Sequence, residues 1–182
     1  MLFRIFSFSE VTSTNLLALD LAAKGQPEGL VIVADYQTSG RGKPGRKWIS
    51  PAGKNLLFSL LLKPSITPDR APLITQIACR SVASVLNRQY KILSTFKRPN
   101  DIMVNGKKIC GILTEAQSSS SGQLESVVIG FGLNVNSPVE ELIPEATSLK
   151  ELTQKEHCRE TLLKEILEQL KTDIQEIYAY SS

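Results

Sequence analysis

Apolar residues recur along the chain with two periods, and the switches between them mark out the elements. Residues 2–8 alternate apolar and polar positions, which predicts a first β-strand. Leu16, Leu17, Ala18, Leu21 and Ala22 form one face of a helix over about 14–24, opened by Thr12 or Ser13 as a cap and closed by Gly25. Residues 30–34 are a β-branched run that suits a buried strand, and residues 55–62 predict the next. Pro64 and Pro68 mark a connection to a helix over about 69–90, with Leu73, Ile77, Val82, Val85 and Leu86 on its packed face. Two short strands, 95–96 and 101–104, flank Lys97-Arg98-Pro99-Asn100. Asn105-Gly106 then gives the chain's strongest hairpin signal. Residues 109–116 and 124–130 read as a pair joined by a turn over 117–123, whose serine run is low-complexity and expected to be mobile. Residues 130–136 read as a turn-rich exit, 147–153 as a short helix and 159–178 as a final amphipathic helix. Hairpins adjoining one another, with helices between groups, predict an α+β fold with a mixed, largely antiparallel sheet.

Composition narrows the classes. At 182 residues the chain is expected to form a single domain, and 42% hydrophobic with 21% charged residues excludes wholesale disorder. A net charge of +3 is too small to imply nucleic-acid binding by itself. The N-terminus reads as a strand rather than a signal peptide, and the longest apolar stretch, 56–62, is far too short to span a bilayer. Three cysteines without a C-x-x-C pair argue for reduced thiols in a cytoplasm. One histidine, His157, leaves too few ligands for a zinc site built on His and Cys, and a triad on it is much less expected than an exposed histidine.

Between the second and third strands lies Gly40-Arg-Gly-Lys-Pro-Gly-Arg46, three glycines and three cations in seven residues, followed by Trp48. Glycines let a backbone approach an anion closely, and the cations neutralise it. The spacing is neither a P-loop nor, lacking a helix at Gly45, a dinucleotide fingerprint. Asn100 and Asp101 open a strand where side chains can enter a cleft, although a self-bonded turn is the plainer alternative. Lys107 and Lys108 point to opposite faces of a hairpin, so at most one can share a pocket with Asp101. Ser13-Thr14-Asn15 is most simply a cap, but a helix N-terminus also offers free N–H groups to a ligand.

With these residues in view the sequence resembles the catalytic domain of biotin protein ligases. The matching segments are Ser13–Asn15, Gln37, Ser39 through Pro51, Gly53-Lys-Asn55, Lys97 through Asp101, Lys107 through Leu113, Gly130 through Asn136 and Ala146 through Leu149, in the family's order and spacing. The resemblance implies an α+β domain shared with lipoate ligases and a two-step reaction: biotin attacks the α-phosphate of Mg·ATP to give biotinyl-5′-AMP and pyrophosphate, and a lysine of a biotin carboxyl carrier domain then attacks the mixed anhydride. It implies biotin contacts from Ser13, Thr14, Asn15, Gln37, Gly40, Arg41, Gly42, Lys43, Trp48, Lys108 and Gly111. It implies nucleotide contacts from Arg46, Trp48, Lys97, Asn100, Asp101 and Lys108, with Asn134 toward the adenine. Lys108 is the implied catalytic cation, assisted by Arg46 and Lys43, and Mg2+ arrives on ATP.

The chemistry is consistent with that set. A neutral ureido ring needs neutral donors and acceptors, and joining a carboxylate to a phosphate needs a cation between two anions. No general base is required for the first step. Two residues depart from the family pattern: Arg98 stands where Trp is usual, and Lys43 where Arg is usual. A helix-turn-helix segment ahead of the domain is not expected, and with it neither repressor function nor nucleic-acid binding. A C-terminal β-domain is expected to be absent. The implied protein is cytoplasmic, a monomer or homodimer, with no membrane partner. A lipoate or octanoate ligase and a non-catalytic biotin- or nucleotide-binding module are the alternatives. The polar Ser13–Asn15 and Gln37 set argues against the first of these.

Overall fold

The computed structural model describes residues 1–118 and 124–179. Seven strands form one sheet in the order β1-β2-β3-β7-β6-β5-β4. They are β1 (Arg4–Val11), β2 (Leu30–Gln37), β3 (Leu56–Leu62), β4 (Thr95–Lys97), β5 (Asp101–Val104), β6 (Lys107–Ser118) and β7 (Leu124–Leu133). Only β1 and β2 run parallel, joined by the crossover helix α1 (Thr14–Ala23); every other neighbour is antiparallel, as the sequence predicts.

Alternation sends the strands' side chains to two faces. Leu56, Phe58, Leu60 and Leu62 of β3 join Val127, Ile129, Phe131 and Leu133 of β7 in the main core. That core is covered by α2 (Ala71–Tyr90) and α4 (Arg159–Asp173), and Phe58 stacks on Phe131 at 4.3 Å between ring centres. On the opposite face Ala18 and Ala22 of α1 pack on Leu30, Ile32, Leu61 and Val128. Cys79 and Cys110 are buried as free thiols in the main core; burial pushes Cys79 up to about 12 and raises Cys110, so they act as packing groups.

Several boundaries differ from expectation. β7 continues through Gly130 and Gly132 to Leu133, where the glycines had suggested a turn. β1 runs on to Val11 because Glu10 and Val11 pair with Tyr36 and Gln37. Helix α2 begins at Ala71 after a 3-10 turn over Pro68–Arg70, since Pro72 has no N–H and fits only a helix's first turn. The final helix breaks at Ile174, leaving a short α5 (Gln175–Ala179), and the short helix α3 spans Leu149–Thr153. Both residues of the predicted Asn105-Gly106 turn have positive φ, 50° and 78°, which matches a tight hairpin. The expected serine turn falls largely on residues 119–123, outside the described residues.

Candidate active site

A cavity of about 100 Å3 opens on the α1 face, where the N-terminus of α1, the end of β2, the 40–48 loop and strands β5, β6 and β7 converge. Its floor is made by removing side chains. Gly130 and Gly132 of β7 and Gly111 of β6 stand on this face, across from the large residues of the core. A methyl group at Gly130 would overlap the Asn15 carboxamide, and one at Gly132 would overlap the Trp48 ring. At Gly111 it would lie 2.9 Å from that ring and 3.0 Å from Lys108 Nζ. The indole and the lysine can therefore lie against the sheet only because these positions lack Cβ atoms.

Helix α1 brings the first polar group. Ser13 caps it, its hydroxyl accepting from Leu16 N–H at 3.5 Å. Thr14 donates from its backbone N–H at 2.8 Å, and its hydroxyl lies 3.1 Å from the same acceptor, Gln37 Oε1. This orients the Gln37 amide and leaves its nitrogen on the cavity wall without a partner among the described residues.

Two residues that sequence reasoning missed complete this network. Ser59 of β3 is fully buried, its hydroxyl 2.7 Å from Thr14 Oγ1 and 2.6 Å from Asn15 Oδ1. Asn15 donates to Glu115 Oε2 at 2.8 Å and to the Leu113 carbonyl at 3.2 Å, while Arg41 pairs with Glu115 Oε1 at 2.7 Å. Glu115 thus ties the helix start to the basic loop. The available signals were the lone serine in residues 56–62 and the period-two relation of Gly111, Leu113 and Glu115 along β6.

The 40–48 loop is a small hairpin rather than irregular chain. Arg41 and Lys47 bridge antiparallel, Trp48 N–H donates to the Gly40 carbonyl at 3.0 Å, and Arg46 N–H to the Lys43 carbonyl at 2.8 Å. Lys43-Pro44-Gly45-Arg46 makes the turn, with Gly45 at φ +79° where a type II turn requires positive φ. Trp48 folds over the glycine floor with its Nε1 buried and unpartnered.

Lys108 reaches the site through a bulge. Gly111 pairs with Asp101 and Cys110 with Ile102, but Lys108, not Ile109, pairs with Met103. The extra residue, Ile109, brings Lys108 onto the face of Asp101 and Gly111. Lys108 Nζ sits 2.7 Å from Asp101 Oδ1, at an angle outside hydrogen-bond geometry, and 5.4 Å from the centre of the Trp48 ring. Lys107 is exposed. Of the two lysines the hairpin argument left open, Lys108 is the one in the pocket.

The cavity wall therefore gathers Ser13, Thr14, Asn15, Gln37, Arg41, Gly42, Lys43, Arg46, Trp48, Asn100, Asp101, Lys108 and Gly111 from the expected set. Three expected residues are not on it. Gly40 is buried beneath the hairpin, against the Trp48 backbone. Lys97 is exposed on β4. Asn134 is buried, its Nδ2 donating to the Thr147 carbonyl at 3.0 Å, and Thr147 N–H in turn holds the Lys108 carbonyl at 2.9 Å. One donor of its amide thus holds the segment beside Lys108. Asn100 also braces, its Nδ2 donating to the Ile112 carbonyl at 2.7 Å, and Arg98 is exposed at the adjoining cis Arg98–Pro99 bond.

Five cations, Arg41, Lys43, Arg46, Lys47 and Lys108, face the cavity against one carboxylate, Asp101. Such a site favours an anion at one end, while the Gln37 amide nitrogen, oriented by Thr14, offers neutral polar recognition at the other. Residues 5–134 match the Biotin/lipoate A/B protein ligase family. The chain is a member of that family. It is 38% identical over 161 residues to the bifunctional ligase/repressor BirA of Bacillus spizizenii, covering 86% of this chain and 49% of that protein. It is 32% identical over 171 residues to the biotin–[acetyl-CoA-carboxylase] ligase of Mycobacterium tuberculosis, covering 91% and 62%. Among solved structures, the biotin protein ligase from Aquifex aeolicus in complex with biotin and ATP superposes with a TM-score of 0.79 at 31% identity, covering 98% of this chain and 73% of that one. The chain spans about half the length of the first curated relative.

Proposed function

We propose that this family member activates biotin with ATP and transfers it to a lysine of a biotin carboxyl carrier domain, with residues 1–182 acting as one catalytic unit. The observation that carries this reading is Lys108, held over the glycine floor between Asp101 and Trp48 at the junction of the neutral and cationic halves of one cavity. In the first step a biotin carboxylate oxygen bonds to the α-phosphorus and the bond to pyrophosphate breaks. Lys108, between carboxylate and phosphate, screens the repulsion of two anions and stabilises the charge that builds on the phosphoryl oxygens. Lys43 and Arg46 lie on the hairpin above, placed to hold the phosphates. In the second step a neutral acceptor amine attacks the acyl carbon, AMP leaves, and the amine gives up a proton as the amide forms.

The cation-rich wall and the unpartnered Trp48 Nε1 fit an anionic nucleotide. No group of three or more His, Cys, Asp or Glu residues suited to a metal occurs among the described residues. Mg2+ on ATP would neutralise phosphate charge, and Asp101 is the cavity-wall carboxylate that would hold it. The thiols of Cys79, Cys110 and Cys158 are unpaired, which suits a cytoplasmic setting. Incubating the chain with labelled biotin, ATP and a carrier domain tests the reading. ATP-dependent label on the acceptor lysine is expected. Biotin binding without transfer would make it a binding module, and transfer of lipoate or octanoate instead would make it the other branch of the family.

A further inference from the structure

Glu115 of β6 pairs with Val128 of β7 and shares its face of the sheet, the one that also carries Ala18 and Leu61. Its side chain is 20% exposed, so the carboxylate has little water there and needs partners of its own. It has one on each oxygen. Asn15 Nδ2 donates to Oε2 at 2.8 Å, and Arg41 pairs with Oε1 at 2.7 Å.

The two partners come from different walls of the cavity. Asn15 follows Thr14, whose N–H and hydroxyl orient Gln37 at the neutral end. Arg41 stands at the base of the cationic hairpin, bridged to Lys47. The Asn15 amide is fixed by its surroundings. The Leu113 carbonyl and the Glu115 carboxylate can only accept, so Nδ2 faces them, and Oδ1 takes the Ser59 hydroxyl proton at 2.6 Å. An unbroken run of polar contacts therefore passes from Gln37 through Thr14, Ser59, Asn15 and Glu115 to Arg41. Lys108 is held separately. The β6 bulge places it, its N–H donates to the Glu145 carbonyl at 2.7 Å, and its carbonyl accepts from Thr147 N–H.

We infer that Glu115 is a positioning residue for biotin binding, one carboxylate that sets the start of α1 and the base of the hairpin around the same ligand. The inference rests on the proposed reading of the cavity as a biotin site. Because the run holds the binding walls and bypasses Lys108, weakening it lowers affinity for biotin and spares the chemical step.

Glu115→Gln keeps the shape and an acceptor for Asn15 but removes the charge facing Arg41. Two measurements test it, with thermal melts to check that each variant folds. The first needs no ligand. Gly42 N–H bonds the Arg46 carbonyl and Trp48 N–H the Gly40 carbonyl, so their hydrogen exchange reads opening of the hairpin. Glu115→Gln is expected to speed exchange at both by about three- to tenfold, and Arg41→Gln to do the same. The double variant should exchange no faster than either single one, since both remove the same pair. The second measurement is the biotin dependence of pyrophosphate exchange into ATP. In Glu115→Gln the KM for biotin is expected to rise about tenfold, while the rate at saturating biotin stays within about twofold of the parent. A residue that only supported the fold would lower the melting temperature and leave that KM unchanged. Unaltered hydrogen exchange, additive single effects, or a lower saturating rate at unchanged KM would overturn the inference. A parent that binds no biotin would remove the reading of the cavity itself, whereas a parent that binds biotin with a Glu115→Gln variant of equal KM would overturn this inference alone.

Discussion

Strands β3, β7 and β6 present two faces built from neighbouring residues of the same chain. Toward α2 and α4 they send Phe58, Leu60, Ile129, Phe131, Cys110 and Ile112. Toward the cavity they send Ser59, Gly130, Gly132, Gly111 and Glu115. The first face is buried beneath the two helices and holds the sheet together. The second is emptied at three glycines, and the space is taken by groups from elsewhere: Asn15 from a helix start, Trp48 from a hairpin and Lys108 from across a bulge. Stability and chemistry are thus separated by the thickness of one strand. A substitution's effect should depend on the parity of its position more than on its distance along the chain.

Three substitutions can break or sharpen that contrast. Phe58→Ala removes one member of the Phe58–Phe131 stack from the filled face and is expected to cost about 3–5 kcal/mol of folding stability. Denaturant titration measures it, and the fraction still folded should form adenylate normally. Gly132→Ala, on the other face, pushes a methyl into the Trp48 ring and lifts the hairpin. Adenylate formation is expected to fall by roughly 10- to 100-fold with little change in stability, since alanine in a strand also lowers the entropy of the unfolded chain. A large loss of stability there, with activity intact, would erase the distinction between the faces. The smallest effect belongs to Lys43 at the hairpin tip, a single hydrated charge where an arginine could grip with a planar fork. Lys43→Arg is expected to slow release of the adenylate by about fivefold, roughly 1 kcal/mol, in a chase experiment.

The parity argument also explains what could be read from the sequence. Strands, helices and the Asn105-Gly106 hairpin follow from local period and turn chemistry, and the motifs at 13–15, 40–48 and 97–101 carry enough unusual chemistry in short segments to stand out. Ser59 and Glu115 do not, because each is an ordinary residue in a strand. They join the site only when register sets Ser59 beneath Asn15 and Glu115 between Asn15 and Arg41. Asn134 has a packing role that its motif alone does not reveal: its Nδ2 donates to the Thr147 carbonyl and so holds the segment beside Lys108. The glycines of β7 read as a turn because local propensity registers their missing side chains as a loss of strand character. In the fold those missing side chains are the reason the strand can carry a site.

The account rests on one lysine of two. Lys107 and Lys108 are adjacent, equally charged and indistinguishable by composition, yet the bulge at Ile109 puts only Lys108 against Asp101 and Trp48. Biotin-dependent exchange of pyrophosphate into ATP, measured for the parent, Lys107→Ala and Lys108→Ala, tests this directly. Loss of a charge-assisted interaction in a sheltered site is expected to lower the Lys108→Ala rate by ~10²–10³, about 3–4 kcal/mol, while Lys107→Ala stays near the parent. Equal losses in the two variants, or exchange supported by lipoate in place of biotin, would contradict it.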